Sequence, residues 1–491
     1  MLKGVRVLDP AAPTDPVELR TTDGRVVALR PAAGPHEGLV VTPAFVDAHV
    51  HATATGLLVD GLDLAGCPSP TTLLDAVAAR ARARPGALIW GHGWQDLGWE
   101  APDREALDRA AAGCPVYLSR VDVHSALVSS ALLHAAPAAV GAVGWSDGPL
   151  SADAHHHVRR AALGAVDPGT RAAAQYAFLR AAAANGIGVV HECAGPDISS
   201  IEDLAALVAR ARADPRAPRV VPYWGQAAAT VAEARELLAA TGAHGLAGDL
   251  FVDGSLGSRT AALRTPYADT PGCHGHPYLD AEEVGLHVAA CTAAGVQAGF
   301  HVIGDAAADT LVAGLRHAAR RASPAAVRAR AHRVEHLEMI DGPGMATLAE
   351  LGVVASVQPV FDAWWGGPSG MYVDRLGADR ARGMNPYAAL HAAGVPLAFG
   401  SDAPVTPLGP WAAVRAAVEH RTAGSGVSQE VALAAHTTGG HRAAGERSPL
   451  SGRLVAGAPA SYAVWDMGEN GDGAPRCLRT VQDGRVLHDT L

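Results

Sequence analysis

His49 and His51, one residue apart at the end of the apolar run Val41-Thr42-Pro43-Ala44-Phe45-Val46-Asp47-Ala48, are the first residues here whose type and spacing suit chemistry. On a β-strand, side chains two apart share a face, so both imidazoles aim at one point. Three later runs also end in a residue able to bind a metal: Gly299-Phe300-His301, Arg333-Val334-Glu335-His336 and Leu397-Ala398-Phe399-Gly400-Ser401-Asp402. Taken singly, each has a plain structural reading, as a core histidine bonded to backbone or an aspartate capping the next helix. Four such strand ends at one mouth of a barrel would instead share a cation. Neutral imidazoles and a carboxylate around a divalent ion bring the pKa of its water toward neutrality, which is the chemistry of metal-dependent hydrolysis.

Strand-like apolar runs that alternate with Ala-rich helical stretches must carry these residues. The candidate strands are Ala44–His49, Gly188–His191, Val220–Trp224, Asp249–Val252, Val296–His301, Arg333–His336, Val353–Val357 and Val395–Phe399. Their alternation with helices predicts an α/β fold, a (β/α)8 TIM-like barrel with its site at the C-terminal mouth. Residues from about 60 to 160 hold two more apolar runs, Ala87–Trp90 and Val116–Leu118, among Trp- and His-rich loops. We assign them to an insertion after the first barrel strand that covers the mouth; a ninth strand is the competing reading. Gly4–Leu8 and Gly24–Leu29 at one end, and Ala460–Asp466, Leu478–Val481 and Arg485–Leu487 at the other, are short β pieces. Neither end can bury a face alone, so both are expected to pair into one small β unit. The expected division is 1–43 with 450–491 for that unit and 44–449 for the metal-binding barrel.

At 491 residues, 49% hydrophobic and 18% charged, the chain can bury a large core and is not globally disordered. Its net charge of −10 argues against non-specific nucleic-acid binding and against an anionic membrane surface. No basic segment leads into an apolar one at the start and no apolar run reaches membrane-span length, so a cytoplasmic protein is expected. The six cysteines lack CxxC spacing and are expected as free thiols. A homo-oligomer is compatible with the sequence.

The strand-end set resembles the metal-dependent amidohydrolase superfamily. Asp253-Gly254-Ser255-Leu256-Gly257-Ser258-Arg259-Thr260-Ala261, His301-Val302-Ile303-Gly304-Asp305 and Gly400-Ser401-Asp402-Ala403-Pro404 are similar to its amidohydrolase 3 branch, which includes N-substituted formamide deformylases. The resemblance implies a distorted barrel plus a β-sandwich built from both termini. It also implies hydrolysis of a non-peptide carbon–nitrogen bond, an N-substituted amide or formamide, by a metal-activated hydroxide with Asp402 as general base. The substrate is then a small molecule.

Many members of the superfamily bridge two metals through a carboxylated lysine. Here Asp249 holds the matching place, and Lys3 is the only lysine. Aspartate is shorter and is expected to fall short, with Glu192 an alternative carboxylate. The preferred reading is one ion, zinc by its donor set, on His49, His51 and Asp402, completed by His301 or water. The alternative is two ions, using His301, His336 and Glu192 or Asp249. His336, where it is not a ligand, would polarise the carbonyl. Trp94, His124, Asp253, Arg259 and Trp365 are candidate substrate contacts, each with a packing or ion-pair reading beside it; Asp305 would orient a ligand. Rival functions are a deaminase on the same scaffold and a catalytically silent metal-binding regulator.

Overall fold

The computed structural model describes residues 2–9, 16–32, 38–96, 98–468 and 474–491. Strands β1 (Leu2–Val7), β2 (Val17–Thr22), β3 (Arg25–Pro31) and β4 (Leu39–Pro43) lead to β5 (Phe45–Val50), which carries His49. The stretch that follows contributes β6 (Leu62–Asp63), β7 (Ile89–Trp94), β8 (Val116–Arg120), β9 (Ser125–Val128) and β10 (Leu150–Ser151). Then come β11 (Ile187–Ala194), β12 (Arg219–Trp224), β13 (Gly299–Val302), β14 (Arg333–His336), β15 (Val354–Val357) and β16 (Leu397–Phe399). The chain closes with β17 (Tyr462–Asp466), β18 (Arg476–Gln482) and β19 (Arg485–Asp489).

Parallel pairing joins β5 to β11 and β11 to β12, and runs again from β13 through β14 and β15 to β16. Isolated parallel bridges close the gaps. Tyr223 pairs with Gly245, Leu246 with Ala298, Phe251 with His301, and Val50 with Ala403. Pairing therefore passes round β5, β11, β12, the stretch 245–251, β13, β14, β15 and β16 and returns to β5. The expected strand Asp249–Val252 is replaced by these bridges. Two glycines explain why the backbone leaves the strand path there. Gly248 sits at φ +84°, a left-handed conformation suited to glycine, and a Cβ on Gly225 would lie 2.7 Å from the carbonyl carbon of Asp249.

Helices separate the parallel segments, and their ends follow simple capping chemistry. Asp280 opens the helix Ala281–Ala294 with a capping box: its Oδ1 accepts from the backbone N–H groups of Glu282 and Glu283, and Glu283 Oε2 accepts from the N–H of Asp280. Gly295, at φ +88°, ends it. The main core packs such helices on Phe45, Val190, Phe300, Val334, Val357 and Phe399.

The two chain ends meet in one seven-stranded order, β19-β18-β17-β4-β1-β2-β3. β4 lies between β1 and β17, and Ala44 alone separates it from β5. The region from about 60 to 160 forms a five-stranded sheet, β10-β9-β8-β7-β6, more than its two anticipated runs. Leu73, Val77, Ile89, Leu107, Val116 and Leu127 build a core of its own. Its strand β7 reaches the parallel ring, where His92 Nε2 lies 3.0 Å from the carbonyl of Pro404. No helix among the described residues is long and apolar enough to cross a membrane.

Candidate metal centre

β5 presents His49 and, one residue beyond its end, His51. β13 presents His301, β14 ends in His336, and Asp402 follows β16. His336 and Asp402 adopt φ of 68° and 54°, a region that side-chain-bearing residues rarely enter. Such strain persists only where surrounding structure enforces it, and it is frequent at functional sites.

These residues converge on Asp249. Its Oδ1 lies 3.4 Å from His49 Nε2, 3.4 Å from His301 Nδ1 and 3.5 Å from His336 Nε2, and its Oδ2 lies 3.1 Å from His51 Nε2. Asp402 Oδ1 is 3.1 Å from His51 Nε2 and 3.5 Å from His49 Nε2. The side chains are buried. His49 Nε2, His301 Nδ1, His336 Nε2, Asp249 Oδ1 and Asp402 Oδ1 have no hydrogen-bond partner. Burying so many polar atoms unpaired costs several kcal/mol unless something satisfies them. A divalent cation would do so, and the donors fall into suitable groups, His49–His51–Asp249, His49–His336–Asp402 and Asp249–His301–His336.

The electrostatics agree. Burial disfavours charge on His51, but the carboxylates of Asp249 and Asp402, each 3.1 Å from its Nε2, hold its pKa up at about 9. Burial also disfavours charge on both carboxylates, yet His49 and the other imidazoles around them keep each below the usual range. A buried site that attracts protons this strongly attracts other cations too.

Outer contacts fix the rings. His49 Nδ1 bonds Glu335 Oε2 at 3.0 Å, His336 Nδ1 meets Gln358 Oε1 at 2.9 Å, and His301 Nε2 faces the Gly254 carbonyl at 3.2 Å. Asp47 ties the first strand to the last by accepting the Ser401 N–H at 2.8 Å. Sequence reasoning missed Glu335, Gln358 and Asp47. The signal for Glu335 was its place beside His336 and two residues after Arg333, a charged pair on one face of a strand.

Several expectations need correction. Asp249 does reach the centre despite its short side chain, because its backbone is carried inward. Glu192 is turned away and accepts the Ala52 N–H at 2.8 Å. His301 groups with Asp249 and His336 rather than completing a His49–His51–Asp402 shell. Trp94 is buried in the inserted unit and donates to the Leu118 carbonyl at 2.9 Å. Asp253 spends its carboxylate on the backbone N–H groups of Ala262, Ile303 and Gly304, and Arg259 pairs with Asp269 at 2.7 Å. None of these three lines the pocket over the centre. Asp305 accepts from the Arg264 N–H rather than orienting His301. His124 and Trp365 do line that pocket, with Asp122, Glu338, Phe361 and Tyr372. A larger cavity, about 1050 Å³, lies at the other end of the ring, beside Ala331, Gly352 and Leu397 where strands begin.

A ring of parallel strands with orphaned imidazoles and carboxylates gathered at its C-terminal end is the scaffold of a metal-dependent hydrolase. Residues 37–488 match the model of the Amidohydrolase family, and the chain belongs to that family, in its amidohydrolase 3 branch. It is 28% identical over 411 residues to the "Putative amidohydrolase YtcJ" of Bacillus subtilis, covering 78% of this chain and 73% of that one. It is 27% identical over 416 residues to "Protein LONG AFTER FAR-RED 3" of Arabidopsis thaliana, covering 78% and 69%. A solved uncharacterized metal-dependent hydrolase of Pyrococcus furiosus is 25% identical with a TM-score of 0.68, over 91% of this chain and 94% of that one. Its counterpart from Pyrococcus horikoshii shares the fold at 22% identity and a TM-score of 0.70, over 96% and 95%.

Proposed function

We propose that this hydrolase cleaves a non-peptide carbon–nitrogen bond, with an N-substituted amide or formamide as its substrate class. The observation that carries the reading is the convergence of orphaned imidazole and carboxylate atoms around Asp249. In this reading Asp249 is the shared carboxylate of two cation positions, one on His49, His51 and Asp402 and the other on His301 and His336. Zinc suits the imidazole and carboxylate donors around Asp249, and the Cys193 thiol belongs to a separate group with His49 and Glu335. Bound divalent cations supply a water of lowered pKa and polarise a carbonyl oxygen.

The chain's own groups do the rest. Asp402 receives the proton of the attacking water and returns it to the amine nitrogen as the carbon–nitrogen bond breaks. Its contact with His51 holds the carboxylate in place. His124 stays neutral, since burial and the neighbouring His301 depress its pKa to about 3, and it lines the pocket without adding charge. Residues 1–43 with 450–491 then serve as a supporting unit, and 44–449 as the metal-binding unit.

The test is zinc-reconstituted protein against a panel of N-substituted formamides, amides and amidines, with product analysis. An organic amine as product is the expected result. Ammonia from an amidine would favour deamination instead. No turnover of any substrate by protein carrying its full metal complement would favour a binding role.

A further inference from the structure

Over the candidate metal centre lies a pocket with acidic groups that belong to none of the cation-binding sets. Glu338 is 3% exposed and belongs to none of the cation-binding groups, yet its Oε2 has no partner. The Tyr372 hydroxyl bonds the carboxyl group and fixes its direction. Asp122 stands on the same pocket. Its Oδ2 is committed to Arg120 Nη1 at 3.1 Å, Ser255 Oγ at 2.6 Å and Ser258 Oγ at 2.8 Å. Its Oδ1 is buried and unpaired. Among the described residues no arginine or lysine lines this pocket.

The remaining walls are apolar and aromatic. Phe361 and Trp365 stand 4.8 Å apart, and Trp365 and Tyr372 6.5 Å, between ring centroids. The room between these walls, about 20 Å³, is enough for a group of ammonium size. Carboxyl oxygens left unpaired beside aromatic faces are the surroundings that an ammonium or amidinium group prefers, through charged hydrogen bonds and cation–π attraction. A purely apolar substrate would leave both oxygens unsatisfied, and an anionic one would add like charge.

We propose that this pocket selects substrates whose non-reacting part bears a protonated amine, with Glu338 as its receptor and Asp122 in support. The assignment rests on the hydrolase reading above, because it places the scissile group on the metal centre and the cationic group against Glu338.

Three hydroxamates, which chelate a metal, test it without requiring turnover: the 4-methyl, 4-(aminomethyl) and 4-carboxy derivatives of benzohydroxamate. Calorimetric titration of the zinc-loaded full chain should give the aminomethyl compound an affinity about tenfold or more above the methyl compound, and the carboxy compound the weakest. In Glu338→Gln the aminomethyl-to-methyl ratio should fall to near one. Equal affinities for methyl and aminomethyl compounds in the wild type would overturn the proposal, as would an unchanged ratio in a Glu338→Gln protein of normal melting temperature. Should that variant not fold, the wild-type ranking of the three compounds decides. Binding of none of them would overturn the metal-centre reading and this proposal with it, an outcome distinct from equal binding of all three.

Discussion

Glu335 Oε2 lies 3.0 Å from Nδ1 of His49, while Arg333 Nε grips the other oxygen of the same carboxylate at 2.5 Å. Burial pushes the Glu335 carboxyl up, but the Arg333 charge and the His49 bond outweigh it and hold the pKa at about 2. An ionised Glu335 only accepts, so His49 carries its proton on Nδ1 and offers Nε2 to the centre. Replacing Glu335 by Gln should therefore weaken zinc binding by roughly 10- to 100-fold. Competition with a chelator of known affinity measures this, and a wild-type constant would refute the link.

Asp249→Asn should lower the number of ions held per chain, because both proposed positions draw on its carboxylate. Elemental analysis after dialysis should read about two ions in the wild type and one or fewer in the variant. Two retained ions would rule out a bridging role.

Gly400 sits against the first strand so closely that a Cβ there would lie 2.6 Å from the His49 backbone nitrogen and 3.1 Å from Asp47 Oδ1. Gly400→Ala should displace His49, cost about 1–3 kcal/mol of stability by overpacking, and weaken metal binding. Thermal melting with and without zinc would show it as a smaller zinc-induced rise in melting temperature than in the wild type.

Away from the centre, Glu446 joins Arg219, His441 and Ser451. Burial raises its pKa, but the His441 bond and the charges of His441 and Arg219 prevail and hold it at about 2. The folded value lies below the ordinary 4.5, so the stabilisation is present above that pH and fades as pH falls toward 2. Glu446→Gln should melt lower than the wild type at pH 6, by on the order of 1 kcal/mol after solvent screening. The two melting curves should draw together near pH 3. A difference that stays constant down to pH 3 would count against the assignment.

Much of the centre was legible because strand ends announce themselves. His49 and His51 follow from period-two spacing, and His301, His336 and Asp402 each stand at the end of a candidate strand. Asp249 was legible as a position but not as a reach. A side chain's length says little when glycines such as Gly225 and Gly248 let its backbone approach the axis. Glu338 and Asp122 were harder still. Each lies in a different loop, and only the folded chain leaves their oxygens unpaired on one pocket. The fourth parallel segment was misread for a related reason, since its apolar residues form single bridges rather than a ladder. Trp94 shows the opposite error, where an aromatic near a histidine suggested a ligand wall and belongs to the inserted unit's own core.

The placement of β4 has a consequence for biogenesis. One flank of β4 pairs with β1, made before it, but the other pairs with β17, about four hundred residues downstream. While the ribosome is still extending the chain, that flank is a bare strand edge directly upstream of the segment bearing His49, open to misassociation with other nascent polypeptides. Newly made protein should thus lean on a chaperone until β17 has emerged, and truncations that remove β17 should aggregate even though every proposed metal donor has already been synthesised.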